Sequence, residues 1–218
     1  MVIFDCNGVL VDSEQLATAV VSQEFMRAGF PLTPDVVARY FTGRRPADMF
    51  AEVERAAGRK LPEHFPATVT ATILRRFRAE LRATRHIAYA LAWLRGPKCV
   101  ASSSSLDRIR VSLETTDLIR FFEPYLFSGS DVANGKPAPD LFLHAASKMR
   151  VPPSDCIVVE DSPVGVAAGA AAGMTVIGFV GGTHAGPKLG YHLGAAGARA
   201  VISDMRALKS TIIDLRGW

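Results

Sequence analysis

Long apolar runs are missing from this 218-residue sequence, although 49% of its residues are hydrophobic. No stretch approaches the roughly 18 uninterrupted apolar residues that a membrane-spanning helix needs. The first residues also lack a basic segment followed by an apolar one, so we expect no signal peptide. With 21% charged residues, the composition indicates a cytoplasmic globular protein without a membrane partner.

Cysteine is scarce as well. The chain has three cysteines, Cys6, Cys99 and Cys156, at widely separated positions. No Cys-x-x-Cys pair occurs, which argues against a structural zinc site. Each cysteine lies in or beside an apolar run that is typical of a strand. We therefore expect free, buried thiols, as in proteins of a reducing compartment.

The chain has little excess charge, and the excess falls in one segment. Between Ser13 and Arg85 there are 12 Lys and Arg against 8 Asp and Glu, whereas the rest has 13 of each. Such a segment could attract nucleic acid. However, "ILRRFRAELRATR" spreads its arginines around a helix with Glu80 among them, which favours a solvated surface. We expect no nucleic-acid partner and, at most, attraction of a small anionic substrate.

A helical block follows the first strand. Residues 14–28 have helical spacing, and Thr33 and Pro34 predict the capped start of a second helix. Gly58 predicts the end of a third helix, and a fourth is expected from about Pro66 to Arg82. No strand pattern interrupts this block, so we predict a helical cap domain over residues 13–82.

Strands then alternate with helices to the end of the chain. Four of the strands are short apolar runs of the kind that is buried on both faces of a sheet. This pattern predicts an α/β fold with a doubly wound parallel sheet, formed by residues 1–12 and 83–218.

Polar residues follow several of the predicted strands. In an open parallel sheet, ligands bind at the carboxyl ends of the strands. Asp5, Ser102 and the pair Glu160 and Asp161 occupy such positions, and the loop "GKPAPD" adds Lys136. Three carboxylates at one edge would repel each other without a cation, and oxygen ligands favour Mg²⁺. Asp5 could attack phosphorus while Ser102 and Lys136 hold the phosphoryl oxygens.

The motifs "FDCNGVLVDSE", "VASSSS", "GKPAPD" and "VVEDSPVGVAAGAAAGM" together resemble those of the haloacid-dehalogenase superfamily. More narrowly, they resemble its sugar-phosphatase and beta-phosphoglucomutase-like branch, which has a small helical cap. The resemblance implies a Rossmann-like core, Mg²⁺ and an aspartyl-phosphate intermediate at Asp5. It also implies metal ligation by Asp5, the backbone carbonyl of Asn7, Glu160 and Asp161.

The same resemblance gives further residues a role. Gly8 matches the glycine that opens a flap beside the substrate, and Asp12 matches the acidic residue of that flap. Ser102 and Lys136 match phosphate-binding positions, although strand register leaves neighbouring serines open as alternatives. Ser103 could donate its backbone N–H. Arg44 and Arg45 follow a cap glycine where related proteins place residues that contact substrate.

Asn7 departs from the family pattern. Phosphatases and mutases of this branch have an aspartate there as general acid and base, and an amide cannot transfer that proton at neutral pH. Losing such a group typically costs about 10²–10⁴-fold in rate. Three explanations stay open: a natural residue of a weak or inactive enzyme, a substitution in an active parent, or a branch whose chemistry needs no acid.

Other branches of the superfamily fit the sequence less well. Dehalogenases lack the acidic pair Glu160 and Asp161, and phosphonatases need a cap lysine, for which Lys60 is poorly placed. Mutases of this branch carry a histidine where this chain has Ala17. We therefore predict a phosphatase of a small phosphorylated metabolite of the sugar-phosphate type, acting as a monomer or weak dimer. The alternative is a catalytically weak or inactive phosphate-binding protein on the same fold.

Overall fold

The computed structural model describes residues 1–216, apart from the side chain of Phe41, and its centre is a six-stranded sheet. The strands are β1 (Val2–Phe4), β2 (Lys98–Ser102), β3 (Leu126–Ser128), β4 (Ile157–Glu160), β5 (Thr175–Phe179) and β6 (Ala200–Ile202). Their order across the sheet is β3-β2-β1-β4-β5-β6, and all neighbouring pairs are parallel. The predicted doubly wound α/β fold is therefore confirmed.

Ten α-helices occur in residues 1–216. They are α1 (Glu14–Arg27), α2 (Pro34–Phe41), α3 (Pro46–Ala57), α4 (Phe65–Glu80), α5 (Ile87–Trp93), α6 (Leu106–Thr115), α7 (Asp140–Lys148), α8 (Pro163–Ala171), α9 (Leu189–Ala195) and α10 (Leu208–Arg216). None of these helices is both long enough and apolar enough to cross a membrane.

Helices α1 to α4 all lie within residues 13–82, the segment predicted to be a cap. The chain segments that lead into and out of this block run side by side. The N–H of Asp12 donates to the carbonyl of Arg82 at 3.0 Å, and the N–H of Thr84 donates to the carbonyl of Leu10 at 3.0 Å. Helix α4 ends two residues before the expected Arg82, because that residue pairs with the incoming segment instead.

The predicted ends of the cap helices are set by local capping. The Thr33 hydroxyl accepts from the N–H of Val36 and begins α2. Gly58 ends α3 with a φ of 63°, a left-handed conformation that glycine adopts without steric cost. Both predictions are confirmed.

The helical block has an aromatic core of its own. The Phe25 and Phe65 rings lie 4.8 Å apart, the Phe50 and Phe65 rings 5.3 Å apart, and Phe30 packs on Phe25. Aromatic pairs of this kind add about 0.5–1.5 kcal/mol each beyond the area they bury. The cap helices are therefore held together by their own packing as well as by contacts with the sheet.

The sheet places one crevice at the carboxyl ends of β1 and β4. The chain builds β2 and β3 on one side of β1, and then β4, β5 and β6 on the other. At such a reversal of strand order the crossover helices diverge and leave a ligand-binding crevice. Asp5 directly follows β1 and Glu160 ends β4, so both lie at this point.

Candidate active site

Lys136 joins two carboxylates in the crevice. Its Nζ lies 2.6 Å from Asp5 Oδ1 and 2.6 Å from Glu160 Oε1, and the lysine side chain is fully buried. Nζ also donates to the carbonyl of Ala101 at the end of β2, at 3.4 Å. The structure therefore brings together three of the predicted site residues that are more than 20 positions apart in the sequence.

Glu160 is fixed by the start of helix α8. Its Oε2 accepts from the backbone N–H groups of Asp161 and Ser162 at 2.8 and 2.9 Å, and from the Ser162 hydroxyl at 2.9 Å. The hydroxyl of Ser162 in turn caps α8 through the N–H of Gly165. A Cβ at Gly165 would collide with the Glu160 carboxylate, so the glycine makes room for this acid.

Asp161 is the least satisfied of the buried acids. Its Oδ2 lies 2.9 Å from His184 Nε2, within ion-pair distance. The two atoms are not aligned for a hydrogen bond, and Oδ2 lacks a hydrogen-bond partner among residues 1–216. Gly8, at a φ of 77°, lies against the same oxygen, where a Cβ would collide with it. His184 was not predicted, because the sequence shows only a glycine-rich loop there.

The loop that carries His184 is also hydrogen-bonded to the residues through which the chain enters the cap. The Asp12 carboxylate accepts from both the N–H and the hydroxyl of Thr183, at 3.1 and 2.9 Å. Gln15 donates to the Thr183 carbonyl at 2.9 Å. The glycine-rich loop after β5 thus connects Asp12 to the acids at the strand ends.

Asn7 is held by two hydroxyl-bearing side chains. Its Nδ2 donates to Ser104 Oγ at 2.9 Å, and its Oδ1 accepts from Ser13 Oγ at 3.2 Å. The side chain also lines the cavity above Asp5. Both polar ends of the amide are occupied, so the structure accommodates Asn7 without an unpaired group.

The serines after β2 are distributed differently from the expectation that singled out Ser102. Ser102 is fully buried, and its Oγ accepts from the N–H of Ser104 at 3.3 Å. Ser103 and Ser104 line the cavity, and Ser103 Oγ donates to the carbonyl of Gly43 in the cap. Ser102 thus supports the loop from below, while the next two residues, Ser103 and Ser104, face the crevice. Its role as a phosphate ligand stays a prediction.

The acids outnumber the cations at the strand ends. Burial raises the pKa of Asp5, and the nearby charges of Glu160 and Asp161 add to this against the opposing effect of Lys136. Burial likewise raises the pKa of Asp161 to about 7, although the imidazole of His184 opposes it. For Lys136, burial alone lowers the pKa, but the two carboxylates more than offset it, so the lysine stays charged.

This imbalance fits an additional cation among the acids. A divalent ion would favour the ionised forms of Asp5 and Asp161 and would give Asp161 Oδ2 a partner. No three His, Cys, Asp or Glu side chains within residues 1–216 are arranged to hold a metal by themselves. A metal here would therefore also need backbone oxygen and water, which is how Mg²⁺ is usually bound.

A cavity of about 760 Å³ lies between these groups and the cap. Its sheet side is polar and includes Asp5, Asn7 and Asp161. Its cap side is mainly apolar and is lined by residues of α1 to α4 and their connections, among them Val21, Val37, Met49, Phe50, Leu61, Val69 and Ile73. The cavity is large enough for a phosphorylated metabolite.

Arg44 and Arg45 line this cavity but are engaged by the protein. Arg44 forms an ion pair with Glu52 at 2.7 Å. Arg45 pairs with Asp48 at 2.7 Å and donates to backbone carbonyls of the loop after β3, at residues 129, 132 and 133. Arg45 therefore fastens the start of α3 to the sheet domain. Substrate contact by either arginine stays a prediction.

Two further charged residues of the cavity were not singled out by the sequence. Glu14 begins α1 and Arg108 lies in the first turn of α6, and both line the cavity with Asp5. Burial raises the pKa of the Glu14 carboxyl despite the opposing charges of Arg108 and His184. In the sequence each resembles an ordinary solvated residue of a first helical turn.

Comparisons with known proteins agree with the fold. The model of the haloacid dehalogenase-like hydrolase family matches residues 1–173. The chain therefore belongs to this family of hydrolases.

Particular relatives narrow the comparison. The chain is 33% identical over 187 residues to a 6-phosphogluconate phosphatase of Escherichia coli, covering 85% of each chain. A haloacid dehalogenase-like protein of unknown function from Agrobacterium tumefaciens has a similar structure, with a TM-score of 0.82 and 35% identity over 99% of this chain and 98% of that one. A putative beta-phosphoglucomutase from Thermotoga maritima has a TM-score of 0.71 and 28% identity, covering 98% of both chains.

Proposed function

We propose that this protein is a phosphatase that hydrolyses a small phosphorylated metabolite, of the sugar-phosphate type, in the cytoplasm. The observation that carries the proposal is the buried contact of Lys136 with Asp5 and Glu160, at 2.6 Å each, beside a cavity of about 760 Å³. The similarity to a 6-phosphogluconate phosphatase supports the same class of substrate.

Asp5 is the proposed nucleophile. One oxygen of its carboxylate attacks phosphorus, an acyl-phosphate bond forms, and the bond from phosphorus to the alcohol oxygen breaks. Water then attacks the phosphorus of this intermediate, which frees Asp5 and releases inorganic phosphate. Lys136 keeps Asp5 oriented and offsets its charge, and the serine loop donates to the phosphoryl oxygens.

Mg²⁺ is the proposed cofactor. Asp5, the backbone carbonyl of Asn7, Glu160 and Asp161 would hold it, with water completing its shell. When bound, the ion would offset negative charge on the phosphoryl group. Glu160 already accepts three hydrogen bonds through Oε2. Its Oε1 accepts from Lys136 Nζ, so a metal ion would share Oε1 with the lysine.

Asn7 decides how the leaving alcohol obtains its proton. An amide has no proton to give at neutral pH, so the alcohol must take one from water. The cost should therefore be large for an alkyl alcohol, which leaves poorly as an alkoxide, and small for an acidic phenol. The following attack of water on the acyl phosphate also loses its base.

The test compares the wild type with Asn7→Asp on two phosphate esters, a sugar phosphate and an activated aryl phosphate. We expect Asn7→Asp to raise kcat on the sugar phosphate by about 10²–10⁴-fold. Because water attack also needs a base, the wild type should accumulate phosphorylated Asp5, visible by mass spectrometry of the quenched enzyme.

Ser13→Ala is a control, because it removes only the hydroxyl that donates to Asn7. It should change the rate far less than Asn7→Asp does. If Asn7→Asp gains no rate on any ester, residue 7 does not limit an otherwise intact site.

A second function is favoured by Asn7 itself. Asn7 has both its amide nitrogen and its oxygen hydrogen-bonded and supplies no acid, so the protein could bind a phosphorylated metabolite without turning it over. Calorimetry would then show binding by the wild type, with neither phosphate release nor phosphorylated Asp5 over hours.

A further inference from the structure

Arg108 is half-buried in the wall of the cavity, and its guanidinium group has no anionic partner among residues 1–216. Its Nε is inaccessible to solvent and has no hydrogen-bond partner among the described residues. It forms no ion pair with a carboxylate in residues 1–216. The supporting contact of the side chain is with the Phe77 ring of α4, whose centroid lies 5.0 Å from Cζ.

An arginine in this state is costly unless something binds it. Buried polar groups are nearly always hydrogen-bonded, and burying a charge without a partner costs much more than burying an amide. Burial lowers the pKa of the Arg108 guanidinium, and the charges of Glu14 and Asp5 only partly oppose this. An anion from outside the chain would supply the missing partner.

The other cations around the cavity are already paired. Lys136 holds Asp5 and Glu160, Arg44 is paired with Glu52, and Arg45 with Asp48. Arg108 therefore differs from them in having donors left for a ligand. Its planar fork is suited to binding a carboxylate or phosphate through two hydrogen bonds.

Glu14, at the start of α1, lines the same cavity and supplies the opposite chemistry. It is half-buried, borders the cavity, and has no ion pair or hydrogen bond within residues 1–216. A carboxylate in that position can accept hydrogen bonds from hydroxyl groups. Together, Glu14 and Arg108 present an acceptor and a cationic donor to whatever lies beyond the phosphoryl group.

We propose that Arg108 binds an anionic group carried by the leaving alcohol, while Glu14 accepts from a hydroxyl of the same alcohol. The substrate class is then a polyhydroxy alcohol phosphate with a second anion, either a carboxylate, as in a phosphorylated sugar acid, or a second phosphate. This inference rests on the proposed phosphatase function and refines its substrate.

The test uses pairs of substrates that differ only in the second anion. The first pair is 6-phosphogluconate and sorbitol 6-phosphate, and the second is fructose 1,6-bisphosphate and fructose 6-phosphate. In the Asn7→Asp background, we expect the compound with the second anion to have a higher kcat/KM than its counterpart in at least one pair. Arg108→Gln should reduce that kcat/KM by about 10–100-fold, the worth of a charged hydrogen bond, and change that of the counterpart by less than about 3-fold.

Matched variants guard against a merely structural effect. Arg110→Gln, on the same helix, removes an exposed arginine that pairs with Glu123 and should leave the preference unchanged. Arg108→Lys keeps the charge but not the fork, so it should retain part of the preference. Thermal unfolding of each variant shows that it folds.

Binding gives a readout that does not depend on turnover. The variant Asp5→Asn prevents hydrolysis, so binding can be measured by calorimetry. In this background, adding Arg108→Gln should weaken binding of the compound that carries the second anion and leave binding of its counterpart unchanged. An equal loss on all four compounds and on an aryl phosphate would mean that Arg108 holds the transferred phosphoryl group, which overturns the inference. No loss on any compound also overturns it. Absence of hydrolysis in every variant, with selective binding retained, would instead refute the phosphatase function.

Discussion

The two walls of the cavity are built in different ways. The sheet wall is a set of acids and one lysine that contact each other directly, with Lys136 buried between Asp5 and Glu160. The cap wall is mainly apolar, and its charged residues include Glu14, Arg44 and Arg45. The sheet wall is therefore fixed by ion pairs among its own residues, and the cap wall by apolar packing that leaves a cavity.

This difference assigns the chemical step to the sheet wall and substrate selection to the cap wall. A group that must attack phosphorus has to be placed within a few tenths of an ångström, which buried ion pairs and strand ends provide. A wall that recognises the leaving alcohol needs volume and a few polar contacts. We therefore expect changes on the sheet wall to remove turnover on all substrates, and changes on the cap wall to alter preference among substrates.

The largest effect should come from Asp5→Asn. An amide cannot form the acyl phosphate, so kcat should fall on the order of 10⁴-fold or more on every ester, including aryl phosphates. Phosphate release is the measurement, with Asp107→Asn as a control because Asp107 is exposed on α6. Retained activity in Asp5→Asn would show that another residue is the nucleophile.

The next effect is expected for Lys136→Met. Its removal leaves two buried carboxylates without their shared cation, which should cost about 3–5 kcal/mol in the free energy of unfolding. The rate should fall as well, on the order of 10²–10³-fold, since the charge beside Asp5 is lost. Urea unfolding and kinetics measure both, and Lys148→Met, at an exposed position, should change neither. A stability close to that of the wild type would contradict the structural role given to this lysine.

The sheet wall could largely be predicted from the sequence, whereas the cap wall could not. Asp5, Glu160 and Asp161 directly follow or end apolar strands, so parallel topology alone brings them together. Lys136 was also predicted, because it lies in the loop that follows β3 and leads back to the same edge of the sheet. Glu14 and Arg108 were missed because their exposure depends on how α1 and α4 pack over the sheet, which no local pattern encodes.

Strand register explains the uncertainty among the serines. A strand alternates its side chains between two faces, so the last residue of β2 and the next one point in different directions. The sequence cannot say at which residue this alternation gives way to the loop. The structure places Ser103 and Ser104 on the cavity and Ser102 beneath it.

Arg45→Met should affect the cap wall selectively. It removes the hydrogen bonds that fasten the start of α3 to the carbonyls at residues 129, 132 and 133. We expect KM for a sugar phosphate to rise about 3–10-fold, since exposed or partly exposed charged contacts are each worth about 1 kcal/mol, while kcat on an aryl phosphate stays nearly constant. Arg55→Met, which is exposed at the end of α3, is the matched control. A fall in kcat on both esters would place Arg45 with the catalytic wall instead.

The smallest expected effect is on stability, at Glu14. Burial raises its pKa in the folded protein, so the unfolded state ionises more readily and the folded state loses stability as the pH rises through the unfolded and then the folded pKa. Glu14→Gln removes this penalty and should raise Tm at pH 7–8 by about 2–4 °C, the shift that 1 kcal/mol gives in a domain of this size. The advantage should shrink and vanish below pH 4, where Glu14 is protonated in both states. Thermal unfolding across this pH range measures it, with Glu63→Gln, at an exposed cap position, as the control. If the higher Tm of Glu14→Gln grew on acidification, Glu14 would stabilise the fold as a carboxylate. The contrast between a cap wall that recognises substrate and a sheet wall held by its own ion pairs would then not hold.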